Sequence, residues 1–172
     1  DVDKKKVNQI NKGNLPIPEL KNWFGFDIKR LSRHKTIQAT DNYKDILKKN
    51  FLVHFIAIPT EKDGKPYFKI LFDVLKKISM IKNLSFDYKP LIIIESTLTP
   101  QFTEKKILPF LKKLNLKFGR DILYSVAPRR DWFVEGTKTL DVLDRVFGSA
   151  DKISSEETFN VLSIVCKKLH KA

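Results

Sequence analysis

Polar side chains follow three segments of this sequence that have the composition of β-strands. These segments are Phe51–Pro59, Leu91–Ile94 and Asp121–Val126. Thr60 follows the first, Ser96 and Thr97 follow the second, and Arg129 and Arg130 follow the third. Hydroxyl groups can hydrogen-bond a ligand or a catalytic water, and guanidinium groups bind phosphates and carboxylates through paired hydrogen bonds. These positions are candidates for a ligand site; the alternatives are that the threonines cap helices or turns and that Arg130 forms a structural ion pair.

The segments between these candidates predict how the chain brings them together. Helical spacing of apolar residues marks Tyr67–Ile81 and Thr103–Leu114, so helices alternate with the strand-like segments. This alternation predicts an α/β fold with a mostly parallel sheet and flanking helices. Ligands of such sheets bind beyond the carboxyl ends of the strands, which is where Thr60, Thr97 and Arg129 would lie.

Shorter elements complete the expected architecture. Lys4–Asn11 is predicted to form a helix that ends at Gly13, and Thr36–Thr40 to form a short strand. The continuous apolar run before Thr60 predicts a strand that is covered on both faces. Ser154 or Ser155 is expected to cap the last helix. The residues of that segment expected to face inward are Phe159, Leu162, Val165 and Leu169.

The composition limits the class of protein. The chain has 172 residues, enough for one domain, and 42% of them are hydrophobic, as in soluble globular proteins. No apolar run reaches the roughly 20 residues of a membrane span, so no membrane partner is predicted. The single cysteine, Cys166, is predicted to be a buried thiol in a reducing cytoplasm. The histidines have no Cys or carboxylate at ligand spacing, so no metal site is predicted.

Positive charge is in large excess. Lys and Arg number 33 against 20 Asp and Glu, which gives a formal net charge of +13. Such a surplus attracts nucleic acid, anionic lipid or phosphorylated small molecules. The lysine pairs are spread over several predicted helices, which favours a small molecule and predicts no nucleic-acid partner. A solvated lysine-rich surface without a specific partner is an equal alternative.

Five short motifs follow one another along the chain. They are DVD to NKG at 1–13, AIPT at 57–60, IEST at 94–97, APRR to EG at 127–136 and RV at 145–146. In this order they resemble the UDP-glucose/GDP-mannose dehydrogenase family over essentially the whole chain. No single motif is specific, but five in the same order are. The EST form favours a UDP-N-acetyl-hexosamine enzyme over a UDP-glucose enzyme.

The resemblance implies an oxidoreductase of polysaccharide biosynthesis, cytoplasmic and homo-oligomeric as an intact protein. The C6 hydroxymethyl group of a UDP-sugar would be oxidised to a carboxylate, with NAD as the cofactor and two NAD used per sugar. The resemblance places Asp1 and Lys6 near the adenosine ribose. It places Thr60, Ser96 and Thr97 in contact with NAD, and Thr97 in contact with the catalytic water.

The chain departs from the family pattern in the loop after the third strand. The Pro-Glu of the family is Pro128-Arg129 here, and the loop to Glu135 is about two residues longer. Glu135 matches a family glutamate beside the nicotinamide and is expected to contact NAD. The substrate contact of the glutamate that is missing at 129 is expected to come from Glu135 or Asp131, and the alternative is that this branch of the family handles its substrate differently. Arg129 and Arg130 are expected to bind a phosphate or carboxylate of the substrate.

Two parts of the family pattern have no counterpart in this sequence. A G-x-G-x-x-G phosphate loop is missing, and the central helix and catalytic cysteine of the family would follow residue 172. We therefore expect residues 1–172 to form a partial NAD-binding domain, a Rossmann-like sheet without its first two strands and without activity by itself. The alternative is a non-catalytic basic module that binds nucleotide or nucleic acid with a degenerate Rossmann-like fold.

Overall fold

The computed structural model describes residues 1–17, 27–47, 49, 51–80, 89–129 and 144–172. The chain forms two compact units. Among the described residues, the first unit consists of 1–17 and 27–47, and the second consists of 49, 51–80, 89–129 and 144–172.

The described part of the first unit contains three short helices. They are α1 (Lys4–Asn11), α2 (Ile28–Arg33) and α3 (Tyr43–Leu47). Asp3 caps α1, because its carboxylate accepts hydrogen bonds from the backbone N–H groups of Lys5 and Lys6. The predicted helix therefore has the bounds that its sequence indicated, and it ends before Gly13, whose φ is +75°.

The predicted strand at Thr36–Thr40 is wrong, because the segment is not a strand, and among the described residues it pairs with a side chain instead. The Asn11 amide donates to the carbonyl oxygen of Ala39 at 2.8 Å and accepts from the N–H of Ala39 at 2.8 Å. The Ser32 hydroxyl donates to the carbonyl oxygen of Asn11 at 2.6 Å. Asn11 thus supplies the donor and the acceptor that a neighbouring strand would otherwise provide.

The described residues of the second unit form a five-stranded sheet and a separate hairpin. Its strands are β1 (Val53–Ile56), β2 (Glu61–Lys62), β3 (Lys65–Pro66), β4 (Leu91–Ile94), β5 (Leu123–Val126), β6 (Arg145–Ser149) and β7 (Leu169–Lys171). The sheet has the order β1-β4-β5-β6-β7, and β2 pairs with β3 in the hairpin. Strands β1, β4 and β5 are parallel, β6 is antiparallel to β5, and β7 is parallel to β6.

Helices complete the α/β arrangement. They are α4 (Lys69–Ser79), a π-helical turn (Thr103–Ile107) that continues into α5 (Leu108–Lys113), and α6 (Lys152–Ser163). Pro109 is the second residue of α5 and has no N–H to donate to the preceding turn, which accounts for the change in hydrogen-bond register there. All four residues of β4 are buried, so the core is centred on this strand. Cys166 is buried and free, as predicted.

The prediction that β1 is covered on both faces is wrong. Leu52 is 70% exposed and Phe55 is 49% exposed, whereas Ile56 is buried. The reason is the position of β1, which is the first strand in the order of the described sheet and pairs only with β4 there. An apolar run in the sequence does not distinguish a central strand from an edge strand.

Burial lowers the pKa of His54 in β1 below its ordinary value, so the folded state favours the neutral imidazole. The unfolded chain then binds more protons near pH 6. We expect the free energy of unfolding to be highest above about pH 6.5 and to decrease as the pH falls through the folded pKa. Denaturant titrations at several pH values between about pH 8 and pH 5 measure how the free energy of unfolding changes with pH, and this dependence is the slope used below.

In His54→Gln the slope should become smaller, while in the control His170→Gln, which removes an exposed histidine of β7, it should persist. An equal slope in the wild type and His54→Gln would contradict the assignment.

Helix α6 differs from its prediction in its cap and in its buried face. Asp151 is the N-cap and accepts from the N–H of Ser154, so neither Ser154 nor Ser155 caps the helix. The buried face consists of polar and small residues together with one leucine. These residues are Ser154, Ser155, Thr158 and Leu162. Of the residues predicted to face inward, Phe159 is 50% exposed and Val165 is 53% exposed.

Hydrogen bonds to β5 and β6 explain why hydroxyl groups of α6 are buried. The Ser125 hydroxyl lies 2.6 Å from the Thr158 hydroxyl and 2.7 Å from the Ser149 hydroxyl. The Ser154 hydroxyl accepts from the backbone N–H of Tyr124 at 3.0 Å and donates to Asp151 at 2.6 Å. Buried polar groups are tolerated when they are bonded in this way.

We expect Thr158→Val to lower the free energy of unfolding by about 1–2 kcal/mol, because valine keeps the shape but leaves the Ser125 hydroxyl with one partner fewer. The double variant with Ser125→Ala should lose less than the sum of the two single losses, since it removes both members of the bond. Denaturant unfolding of the four proteins measures the coupling. Strictly additive losses would count against a direct interaction.

Candidate functional site

The segments after β1 and β4 are joined by side-chain hydrogen bonds. The Ser96 hydroxyl accepts from the N–H of Ile58 at 2.9 Å and donates to the carbonyl oxygen of Ile58 at 2.7 Å. The Thr60 hydroxyl donates to the carbonyl oxygen of Thr97 at 2.8 Å. Three residues that the sequence singled out are thus brought together at the carboxyl edge of the parallel strands.

The Thr97 side chain differs from its two neighbours in this group. It is exposed, and its hydroxyl makes no hydrogen bond to any residue in the part of the chain that the structure describes. The hydroxyls of Thr60 and Ser96 are already engaged with the backbone. Thr97 therefore presents a donor and acceptor to the outside of the sheet edge, while the other two hold the turn in place.

The segment after β5 lies beside the same turn. The N–H of Arg129 donates to the carbonyl oxygen of Glu95 at 3.2 Å, and the N–H of Ala127 donates to that of Ile94 at 2.8 Å. The Arg129 side chain is exposed. Arg130 and Glu135, the other two candidates in this loop, lie outside the described residues, so their roles stay predictions.

An ion pair beneath this edge was missed from the sequence. Glu95 accepts from Nη2 of Arg145, and the same nitrogen donates to the carbonyl oxygen of Ala127 at 2.9 Å. The Glu95 side chain is 9% exposed and the Arg145 side chain 11%. Glu95 lies within IEST and Arg145 begins RV, so two of the motifs meet. In the sequence, the indication of this ion pair was an acidic residue, Glu95, at the end of a buried strand.

Asp1 and Lys6 lie in the first unit. Oδ1 of Asp1 accepts from the backbone N–H of Asp3 at 3.0 Å, which orients the carboxylate. Asp3 uses its own carboxylate to cap α1, so the two acidic residues have different roles. The Lys6 side chain is exposed in the first turn of that helix.

Asp1 in the first unit and Thr97 in the second each present a group of a kind that binds nucleotides. Asp1 has an exposed, oriented carboxylate of the kind that binds a pair of ribose hydroxyls. Thr97 has an outward hydroxyl at the carboxyl end of a central parallel strand, which is the usual position of ligand contacts in α/β sheets.

The described ranges contain no cluster of three or more His, Cys, Asp and Glu side chains suited to holding a metal ion. None of the helices described here has the length and apolarity required to cross a bilayer.

Comparison with known proteins places this geometry in a family. The family model for the UDP-glucose/GDP-mannose dehydrogenase family, NAD binding domain, matches residues 1–166. Protein CapL of Staphylococcus aureus is 27% identical over 136 residues, which cover 77% of this chain and 29% of that protein. The predicted family is confirmed, and with it NAD as the ligand that defines the domain.

Solved structures confirm the predicted α/β fold with its mostly parallel sheet. A UDP-D-ManNAc dehydrogenase from Pyrococcus horikoshii matches with a TM-score of 0.82 at 22% identity, over 100% of this chain and 40% of that one. A GDP-mannose dehydrogenase from Pseudomonas aeruginosa matches with a TM-score of 0.76 at 20% identity, over 99% of this chain and 39% of that one. The chain thus spans less than half the length of these relatives. It belongs to the NAD-binding domain family of the UDP-glucose/GDP-mannose dehydrogenases.

Proposed function

We propose that the full-length product of this gene is an NAD-dependent nucleotide-sugar 6-dehydrogenase, to which residues 1–172 contribute NAD-binding residues. The substrate is a UDP-sugar, namely UDP-N-acetylmannosamine, UDP-N-acetylglucosamine or UDP-glucose, whose C6 hydroxymethyl group becomes a carboxylate. Converting an alcohol to a carboxylate removes four electrons, so each sugar requires two NAD and one water. The presence of a UDP-D-ManNAc dehydrogenase among the similar solved structures supports the first of these substrates.

The observation that carries the proposal is the arrangement of AIPT and IEST around one outward hydroxyl. The Thr60 hydroxyl donates to the Thr97 carbonyl oxygen, and the Ser96 hydroxyl donates to the Ile58 carbonyl oxygen, so the backbone that carries the Thr97 hydroxyl is held in place. A pre-oriented hydroxyl can hold a water or a ligand without a further cost of ordering. The family match over residues 1–166 gives this arrangement its chemical context.

Each candidate residue has a distinct part in the proposal. NAD, when bound, accepts the hydride from C6 of the sugar. Asp1 accepts hydrogen bonds from the adenosine ribose, and Lys6 adds positive charge beside it. Thr97 orients the attacking water through its hydroxyl, and Thr60 and Ser96 maintain the turn against which the cofactor lies. Arg129 binds a phosphate or carboxylate of the substrate, with Arg130 and Glu135 of the same loop.

Product analysis of the full-length protein tests this function. Purified protein is incubated with NAD and one nucleotide sugar at a time, and both NADH and the uronic acid are quantified. We expect UDP-N-acetylmannosamine to give the highest kcat/KM and two NADH for each sugar consumed. GDP-mannose serves as the control with the same cofactor but a different nucleotide. Absence of NADH with every sugar would contradict the proposal.

The formal charge of +13 makes an oligonucleotide titration the complementary test. A dehydrogenase should bind a fluorescent oligonucleotide only weakly at about 150 mM salt, because scattered surface lysines give non-specific attraction that salt screens. Sub-micromolar binding at that salt concentration, together with absent NADH formation, would support the basic binding module instead.

A further inference from the structure

A nearly buried ion pair lies at the carboxyl edge of the sheet. Arg145 begins β6, whereas Glu95 and Ala127 directly follow β4 and β5. Nη2 of Arg145 bonds to both the Glu95 carboxylate and the Ala127 carbonyl oxygen, the latter at 2.9 Å. One guanidinium group therefore joins the ends of two neighbouring strands.

The contribution of this ion pair to folding stability is a poor explanation for its presence. Removing two charges from water costs free energy that their attraction barely offsets, and apolar residues of similar volume often serve a fold equally well. Nε of Arg145 is buried and has no hydrogen-bond partner among the described residues, which adds to the cost. Charged pairs of this kind do, however, impose one geometry on the groups that they join.

The groups joined here are the two segments of the candidate site. Thr97 follows Glu95 by two residues, and Arg129 follows Ala127 by two. The carbonyl oxygen of Glu95 also accepts from the N–H of Arg129 at 3.2 Å. Glu95 is thus linked to the segment after β5 in two ways. Its carboxylate is linked through Arg145 to the Ala127 carbonyl oxygen, and its own carbonyl oxygen accepts from the N–H of Arg129.

We propose that Glu95 and Arg145 form a positioning pair, which holds the turn carrying Thr97 against the segment carrying Arg129. Both side chains are nearly buried, so the pair acts through Thr97 and Arg129 and not on the ligand itself. This inference rests on the proposed function, in which Thr97 orients water and Arg129 binds substrate.

Glu95→Gln in the full-length protein tests the role in the reaction. Glutamine keeps the shape of the side chain but loses the charge that holds Arg145. We expect kcat to fall about 100-fold with a much smaller change in KM for NAD, because a displacement of about 1 Å at a reacting group has an effect of this size. Asp144→Asn is the matched control: it removes a neighbouring acidic group whose pair with His170 is exposed, and it should leave kcat unchanged.

Amide hydrogen exchange, resolved to single residues, separates positioning from a general loss of stability. In Glu95→Gln we expect the amides of Ala127 and Arg129 to exchange about 10-fold faster or more, while those of α4 keep their rates. A general loss of stability would accelerate all slowly exchanging amides together. Arg145→Lys, which keeps a positive charge near Glu95, is the milder second variant and should show the same local effect at smaller size.

The outcomes separate this inference from the function on which it rests. Absence of turnover in the wild type with every nucleotide sugar overturns the proposed function, and the inference with it. Turnover in the wild type together with unchanged kcat in both variants overturns the positioning role alone. Uniformly accelerated exchange, with kcat falling only in proportion to the unfolded fraction, also overturns it.

Discussion

Gly13→Ala is expected to destabilise the first unit by roughly 3 kcal/mol. A Cβ atom at this position would lie 2.6 Å from the backbone Cα of Lys29, and the Gly13 φ is +75°. The left-handed conformation costs an L-residue about 1–2 kcal/mol, and relieving the contact by moving backbone costs about 1–3 kcal/mol more. Denaturant unfolding monitored on the first unit measures the loss.

Gly64→Ala is the matched control for backbone conformation. Gly64 has a φ of +70°, but a Cβ atom there would meet nothing within 4 Å. We expect this variant to lose about 1–2 kcal/mol, because only the conformational term applies. Similar losses in the two variants would show that the close approach of Lys29 relaxes freely and would contradict the expectation for Gly13.

Thr97→Ala is expected to reduce kcat of the full-length protein about 100- to 1000-fold, the size of effect seen when one pre-oriented hydrogen-bonding group is removed from a reacting centre. The variant keeps the Thr97 carbonyl that accepts from Thr60, so the turn is retained and only the exposed hydroxyl and the γ-methyl group are lost. NAD affinity should fall much less than kcat. Steady-state kinetics with a nucleotide sugar and calorimetric NAD titration measure the two quantities.

Thr99→Ala provides the comparison, because Thr99 is an exposed threonine only two residues further along the same segment. Its carbonyl oxygen accepts from the N–H of Phe102, and that bond survives the substitution. Wild-type turnover is expected in this variant. If Thr97→Ala also turned over at the wild-type rate, its hydroxyl would have no part in orienting water or cofactor.

Local patterns in the sequence were sufficient for the central sheet. Leu91–Ile94 was predicted as a buried strand, and β4 has these bounds with all four residues buried. Parallel strands end at a common edge, so their order alone predicted that Thr60, Ser96 and Thr97 would lie together. Hydrogen bonds between the two segments confirm that prediction.

The orientation of α6 was decided by partners distant in the sequence. Apolar spacing favoured Phe159 and Val165 as inward residues, but Thr158 and Ser154 are buried instead. A buried hydroxyl is acceptable only where another element supplies a hydrogen bond, and here Ser125 of β5 does so for Thr158. Periodicity within one helix carries no information about a hydrogen-bond partner that lies 33 residues earlier in the chain.

The division of labour among adjacent site residues likewise required the tertiary structure. By residue type and position alone, Ser96 and Thr97 are both hydroxyl residues at a strand end, and the family resemblance distinguished them only by assigning the catalytic water to Thr97. Their surroundings differ in the structure, because the Ser96 hydroxyl is bonded to the backbone of Ile58 while the Thr97 side chain is exposed. Glu95 and Arg145 are 50 residues apart and became partners only because β6 returns antiparallel beside β5. Residue types and their order in the sequence determined which functional groups are available at the carboxyl edge of the sheet. Contacts between strands decided which of these side chains are exposed there, because such contacts depend on how separate strands pack.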